Sequence, residues 1–190
     1  MADSPVLRPL PPDALDTEQL ALYEAILGGR AAMTATTSLT DDTGALRGPF
    51  DPILRTPAVG EAIQRLGLAL RHQTSLPPRV TETVVLTTAV HYGAEFEWYA
   101  HAGIVRSRQL FDESELDRLR AGDSPADPEL AAAWRTARAV LAGSRLPADV
   151  SEAAIAAWGE RGLVEITALV GHYSHLALLM LALGIEPPAS

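Results

Sequence analysis

Five side chains with a carboxylate or an imidazole lie within one apolar stretch of the sequence, between residues 82 and 101. Glu82, Glu97 and His101 are the three that we select for proton exchange, whereas Glu95 is interpreted as solvent-facing and His91 as structural or exposed. Carboxylates and imidazoles are costly to bury unless they are paired or take part in chemistry. Glu97 and His101 are four residues apart, so on a helix they share one face and form a pair suited to general acid–base catalysis. The pattern predicts His101 as the acid or base, Glu97 as a residue that tunes it or relays its proton, and Glu82 as an orienting group or second base.

The same spacing also fits a simpler interpretation. A Glu–His pair one turn apart is common on helix surfaces, where it has no catalytic role. Glu82 lies more than four turns from His101 along a straight helix, so the two side chains meet only through a bend or a neighbouring chain. The acid–base hypothesis therefore depends on a change of chain direction between them.

Further candidate residues flank this pair in the sequence or lie near the C-terminus. Trp98, Tyr173 and His172 are predicted to contact the substrate, although Trp98 also fits a core position. His172 and His175 share a helix face, and either could join Glu97 and His101 at a metal. Because the sequence contains no Glu-x-x-His or His-Glu-x-x-His motif, we predict no metal and no other cofactor.

Six arginines are interpreted as mainly surface charges, of which one or two can bind an anionic substrate through the fork of the guanidinium group. These are Arg47, Arg55, Arg71, Arg79, Arg106 and Arg108.

The elements that must position these residues are predicted to be helices. The chain has 190 residues, of which 47% are hydrophobic and only 5% aromatic, and this Ala- and Leu-rich balance favours helix over sheet. We expect a single all-α domain over 1–190, made of about seven helices, with an extended proline-rich arm at 1–13. One long helix is predicted from near Thr81 to near Ser107, and a break at Arg161-Gly162 precedes the last helix. Residues 31–47 form a long loop whose composition permits a lid.

Composition excludes several classes of function. The net charge of −9 and the pI near 4.9 argue against nucleic acid and anionic membranes as partners. The absence of cysteine excludes disulfides, thiolate catalysis and iron–sulfur clusters. Charged and polar residues interrupt the apolar segment 163–185, which we interpret as a buried helix, and a basic leader is not visible at the N-terminus. A cytoplasmic protein acting on a small molecule is expected.

Three segments of the chain resemble the carboxymuconolactone decarboxylase family, which includes the alkylhydroperoxidase D proteins. They lie at 44–57, 79–101 and 164–173, and the resemblance extends over about 44–183. In the peroxidase branch the middle segment has the pattern Glu, eleven residues, Cys, two residues, Cys, three residues, His. Here the spacing is kept as Glu82, Ala94, Glu97 and His101, with both cysteines replaced. The chain is thus similar to the cysteine-free members of the family.

The resemblance implies an alkylhydroperoxidase D-like helical bundle that assembles into trimers or hexamers. Peroxidase activity is not expected, because that reaction needs the two thiols. The decarboxylase branch acts without a cofactor on a lactone that carries carboxylates, which implies lyase chemistry on a small anionic or carbonyl-bearing molecule. A non-catalytic member that only binds a ligand, and a metal-dependent enzyme using Glu and His ligands, are the alternatives.

Overall fold

A computed structural model describes residues 6–29 and 38–188 of the chain, and these residues form an all-α fold, as predicted. In the described part, the β-type pairing is limited to an isolated bridge between Thr40 and Leu46. Within residues 6–29 and 38–188, a short 3-10 turn, Pro12–Ala14, is followed by eight α-helices: α1 Thr17–Gly29, α2 Phe50–Ile53, α3 Pro57–His72, α4 Pro78–Tyr92, α5 Glu95–Ser107, α6 Glu113–Arg120, α7 Pro128–Leu141 and α8 Ala148–Leu183.

Helix α4 lies at the centre of the bundle and packs against α5, α7 and α8. Val80, Val84 and Leu86 on this helix are completely buried, as expected for a helix surrounded by others. The hydroxyl groups of its buried threonines donate hydrogen bonds to backbone carbonyls of the same helix. For example, Thr87 Oγ1 donates to the carbonyl of Thr83 at 2.6 Å. Polar residues therefore enter this core without losing hydrogen bonds.

The predicted continuous helix from 81 to 107 is wrong, because the chain turns between α4 and α5. Gly93 adopts a left-handed conformation with φ of 64°, and the N–H of Ala94 donates to the carbonyl of Ala89 at 2.9 Å. This is a glycine-terminated helix end, which glycine adopts without the steric cost that other residues meet. The turn allows α5 to pack back against α4, which is the bend that the Glu82–His101 pairing requires.

Helix α8 carries the second difference from the prediction. Its interruption lies at Gly159, with φ of 70° and ψ of 176°, and not at Arg161-Gly162. Gly162 is helical and buried, and a Cβ placed on it would lie 2.2 Å from the Cβ of Trp158. The glycine at 162 therefore serves close packing, while the one at 159 permits the kink.

By length and composition, α8 is also apolar enough to cross a membrane, a test that core helices pass as well. In its most apolar stretch 44% of the residues are buried within the fold. The helix packs against α3, α4 and α7, and Ile166, Leu169 and Met180 are almost fully buried. These contacts agree with the prediction of a buried helix.

The N-terminal segment lies against the end of α8 and against α2. The N–H of Val6 donates to the carbonyl of Leu183 at 3.1 Å, and the N–H of Leu10 donates to Asp51 Oδ1 at 2.7 Å. The predicted arm at 1–13 is therefore attached from residue 6 onward, and residues 1–5 lie outside the described part. The assignment of 1–190 to one domain stays a prediction.

Candidate functional site

The turn at Gly93 places Glu82 of α4 beside His101 of α5. Glu82 Oε2 lies 2.7 Å from His101 Nδ1, although the two residues are nineteen positions apart in the sequence. Because an ionised carboxylate only accepts hydrogen bonds, Nδ1 carries a proton and donates a hydrogen bond to Glu82 Oε2. In the neutral imidazole, Nε2 is then the atom with the free lone pair.

His101 Nε2 faces the second predicted carboxylate. Glu97 Oε1 lies 3.7 Å from Nε2, which is too long for a direct hydrogen bond. Glu82, Glu97 and His101 are all buried, with at most 8% of their surface exposed. The structure thus brings the three predicted catalytic residues together around one imidazole.

Glu97 and His101 line a cavity of about 50 Å³ between the helices and the loop that precedes α2. Its polar side chains are carried by four parts of the fold and its apolar walls include Leu39, Phe96 and Leu176. Glu82 is not among the lining residues. Its carboxylate contacts the Nδ1 side of His101, so it can influence the cavity only through the imidazole. The lining polar residues are Ser38, Arg47, Arg71, Glu97, His101, His172 and Tyr173.

Tyr173 and His172 of α8 also line this cavity, and their contact with a substrate stays a prediction. The Tyr173 ring meets the His101 ring edge to face, with centroids 5.1 Å apart and planes at 89°. Burial raises the pKa of Tyr173 to about 12, with Arg71 opposing the shift and Glu82 and Glu97 adding to it. Tyr173 is therefore a neutral phenol that can donate a hydrogen bond at physiological pH.

Trp98 lies away from this cavity. It is not among the cavity-lining residues, and its ring lies under the guanidinium of Arg120, 4.8 Å from the centroid. Trp98 also packs against the main core, which agrees with the core interpretation of this residue. Its contact with a substrate stays a prediction that this position does not support.

The arginines divide into two groups that the sequence did not separate. Arg55, Arg79 and Arg106 form ion pairs with acidic residues elsewhere in the fold, including Asp51, Glu115 and Glu113. Arg47 and Arg71 line the cavity. Arg71 stands in the last turn of α3, and no motif marked it, because its proximity to the site depends on how α3 packs against α8.

The described residues do not supply a ligand cluster for the metal-dependent alternative. Within residues 6–29 and 38–188, no group of three His, Asp and Glu side chains is arranged to hold a metal ion. His172 lines the cavity, whereas His175 is exposed one turn further along α8. The suggested lid at 31–47 falls partly outside the described residues, and its described end contributes Ser38, Leu39 and Arg47 to the cavity.

Comparisons with known proteins support the fold. No family model and no curated protein sequence matches the chain. Among solved structures, it is similar to a protein of unknown function from Agrobacterium tumefaciens that has been suggested to be the antioxidant defence protein AhpD. The TM-score is 0.66 at 18% identity, covering 76% of this chain and all of the other.

It is also similar to the debrominase Bmp8, solved as a cysteine-to-alanine variant with 2,3,4-tribromopyrrole. That similarity has a TM-score of 0.68 at 13% identity and covers 98% of this chain and 95% of the other. The protein thus has an AhpD-like fold, as the sequence resemblance implied. At these identities the similarity concerns the fold and does not assign a reaction.

Proposed function

We propose that this protein is a lyase of the decarboxylase type, which acts by proton transfer on a small carbonyl- or lactone-bearing carboxylate without a cofactor. The observation that carries the proposal is the short contact between His101 Nδ1 and Glu82 Oε2, with Nε2 directed to Glu97 at the cavity. A buried imidazole oriented by a carboxylate is an arrangement typical of general acid–base catalysis.

In this reaction the bond between the substrate and its carboxylate breaks and CO₂ leaves. The electron pair of that bond passes to the conjugated carbonyl group, and a carbon atom must then be protonated. His101 in its imidazolium form donates this proton from Nε2, and Glu82 stabilises the charged imidazole. Glu97, 3.7 Å from Nε2, returns the proton from solvent to His101.

Two features of the cavity support an anionic substrate. Arg47 and Arg71 supply positive charge in a region that also contains the buried carboxylates Glu82 and Glu97. The apolar walls formed by Leu39, Phe96 and Leu176 exclude water from the remaining surface, and this strengthens charge interactions inside the cavity. The fold similarity to an enzyme, the debrominase Bmp8, is consistent with catalysis on this scaffold.

The test uses a panel of small β-oxo acids and carboxylated lactones, followed by proton NMR in D₂O. Decarboxylation by this route places deuterium on the protonated carbon of the product. We expect the wild type to turn over at least one member, and His101→Gln to lose about 10²- to 10⁴-fold in kcat, the usual contribution of a general acid or base.

His91 is exposed and contacts Tyr92 outside the cavity. His91→Gln is therefore the matched control, and we expect it to leave turnover unchanged. Circular dichroism of both variants shows whether the fold is retained. Full activity of a folded His101→Gln protein, or no turnover of any panel member by the wild type, would contradict the proposal.

A further inference from the structure

Tyr173 stands between the positive and the negative side chains of the cavity. It is buried in α8 and lines the cavity together with Arg71, Glu97 and His101. Its ring contacts the His101 ring edge to face at 5.1 Å. The mechanism above uses the imidazole and its carboxylates, and it leaves this phenol without a chemical role.

The neighbouring Arg71 determines where the proton of Tyr173 is available. Arg71 lines the same cavity, and its positive charge lowers the pKa of the Tyr173 hydroxyl against the larger effect of burial. A guanidinium has five donors and no acceptor, so it cannot accept the hydrogen bond of the phenol O–H group. The O–H proton of Tyr173 can therefore be donated to an acceptor in the cavity. A positive charge beside the phenol also makes that proton a stronger donor.

From this geometry we propose that Tyr173, polarised by Arg71, donates its hydrogen bond to the substrate carbonyl oxygen, and that the substrate is a small β-oxo dicarboxylate. This inference rests on the proposed function. When CO₂ leaves, the electron pair of the broken C–C bond forms a C=C bond, and the carbonyl π electrons move to the oxygen. Tyr173 stabilises that oxyanion without giving up its proton. The oxygen electrons then re-form the carbonyl as carbon takes the proton from His101 Nε2.

The second carboxylate of such a substrate has a partner in Arg47. This residue lines the same cavity and is fixed in place by the hydrogen bond from its Nε to the carbonyl of Thr40 at 2.9 Å. A substrate anchored there keeps one carboxylate and loses the other. The cavity is small, about 50 Å³, which favours the smallest members of this substrate class.

Oxalate and acetate are the probes for this arrangement. Oxalate has a carboxylate next to a second negatively charged oxygen on a planar carbon, and so resembles the enolate that remains after CO₂ is lost. Acetate has the carboxylate alone. By titration calorimetry we expect the wild type to bind oxalate at least about 10-fold more tightly than acetate, because only oxalate reaches both Arg47 and Tyr173.

Tyr173→Phe removes only the hydroxyl. We expect it to weaken oxalate binding by about 10- to 100-fold and to leave acetate binding within about 3-fold, since a lost charge-assisted hydrogen bond acts on one probe only. Tyr99→Phe is the matched control, because Tyr99 is exposed on α5 and is not a cavity-lining residue. It should bind both probes as the wild type does.

Equal oxalate affinity in the wild type and Tyr173→Phe would overturn the inference, as would a wild type that does not bind oxalate. A parallel loss for both probes would also overturn it, because it would indicate a structural effect. These binding results are independent of turnover. Failure of the proposed function would instead be seen as undiminished activity of His101→Gln, whatever the probes show.

Discussion

At the level of single residues, the neighbours of each polar side chain determine which of its atoms remains available to the cavity. Glu82 engages His101 Nδ1 at 2.7 Å and leaves Nε2 directed to Glu97. Arg71, which can only donate hydrogen bonds, lines the cavity with Tyr173 and leaves the phenol proton for another acceptor. Each second partner thus sets the direction in which a reacting group can exchange or share a proton.

The buried phenol gives the protein a measurable alkaline instability. Burial raises the pKa of Tyr173 to about 12, from the usual 10.0 of a tyrosine. Above pH 10 the unfolded chain loses this proton while the folded protein keeps it, so the folded state binds more protons and its stability falls as pH rises.

We expect the free energy of unfolding of the wild type to fall, relative to Tyr173→Phe, by roughly 1.4 kcal/mol per pH unit between pH 10 and pH 12. Below pH 9 this difference should not change with pH. Urea denaturation of both proteins at several pH values measures it. Parallel curves for the two proteins up to pH 12 would show that Tyr173 ionises normally in the folded state.

At the scale of elements, two glycines with positive φ shape the site in different ways. Gly93 ends α4 with open space around it, so a Cβ there meets no atom within 4 Å. Gly48, with φ of 65°, would place a Cβ 2.3 Å from Cε1 of Phe96, which forms part of the cavity wall. The first glycine allows the chain to turn, and the second also allows the loop before α2 to approach α5.

Gly93→Ala and Gly48→Ala are therefore a matched pair. We expect Gly93→Ala to destabilise the protein by about 1–2 kcal/mol, the cost of a left-handed alanine. Gly48→Ala should have the same backbone cost and lose about a further 1–3 kcal/mol of stability, because the new Cβ displaces the Phe96 ring. It should also change substrate binding. Thermal and urea unfolding give the stabilities, and equal losses for the two variants would refute the close contact with Phe96.

The elements also show what could be predicted from the sequence. The bounds of helix α3, Pro57–His72, can be predicted from the sequence, because Thr56-Pro57 at its start and its apolar stripe are local signals. The turn at Gly93 was missed because apolar residues continue on both sides of a single glycine. Arg71 was not separated from the other arginines, since its place at the cavity follows from tertiary packing. Glu82, Glu97 and His101 were chosen as catalytic candidates by residue type and spacing, and their convergence in the structure depends on the turn at Gly93.

At the scale of the whole molecule, assembly stays a prediction that rests on the family resemblance and on exposed apolar residues. Val59 and Leu66 are exposed by 58% and 45% and lie seven residues apart on α3, so they share one face. Such a face is suited to contact with another copy of the chain. We propose that α3 contributes to the interface of a trimer or hexamer.

Native mass spectrometry should give three or six times the chain mass of 20.2 kDa. Leu66→Glu should shift the distribution toward smaller species, because a carboxylate buried in an apolar interface is costly. Ile155→Glu changes an exposed apolar residue of similar accessibility, 41%, at a different place on the surface and should leave the mass unchanged. A monomeric wild type at micromolar concentration would contradict the assembly.

The most direct test of the central claim is the protonation of the two nitrogens of His101, measured by long-range proton–nitrogen NMR as the pH is raised. The chain has five histidines, and His101→Gln assigns the signal of interest. We predict that the neutral ring keeps its proton on Nδ1, held by Glu82, and that Nε2 is the nitrogen that loses its proton. Glu82→Gln should weaken this preference. A neutral His101 with its proton on Nε2 would contradict the account, because no proton-accepting atom would then face Glu97 and the cavity.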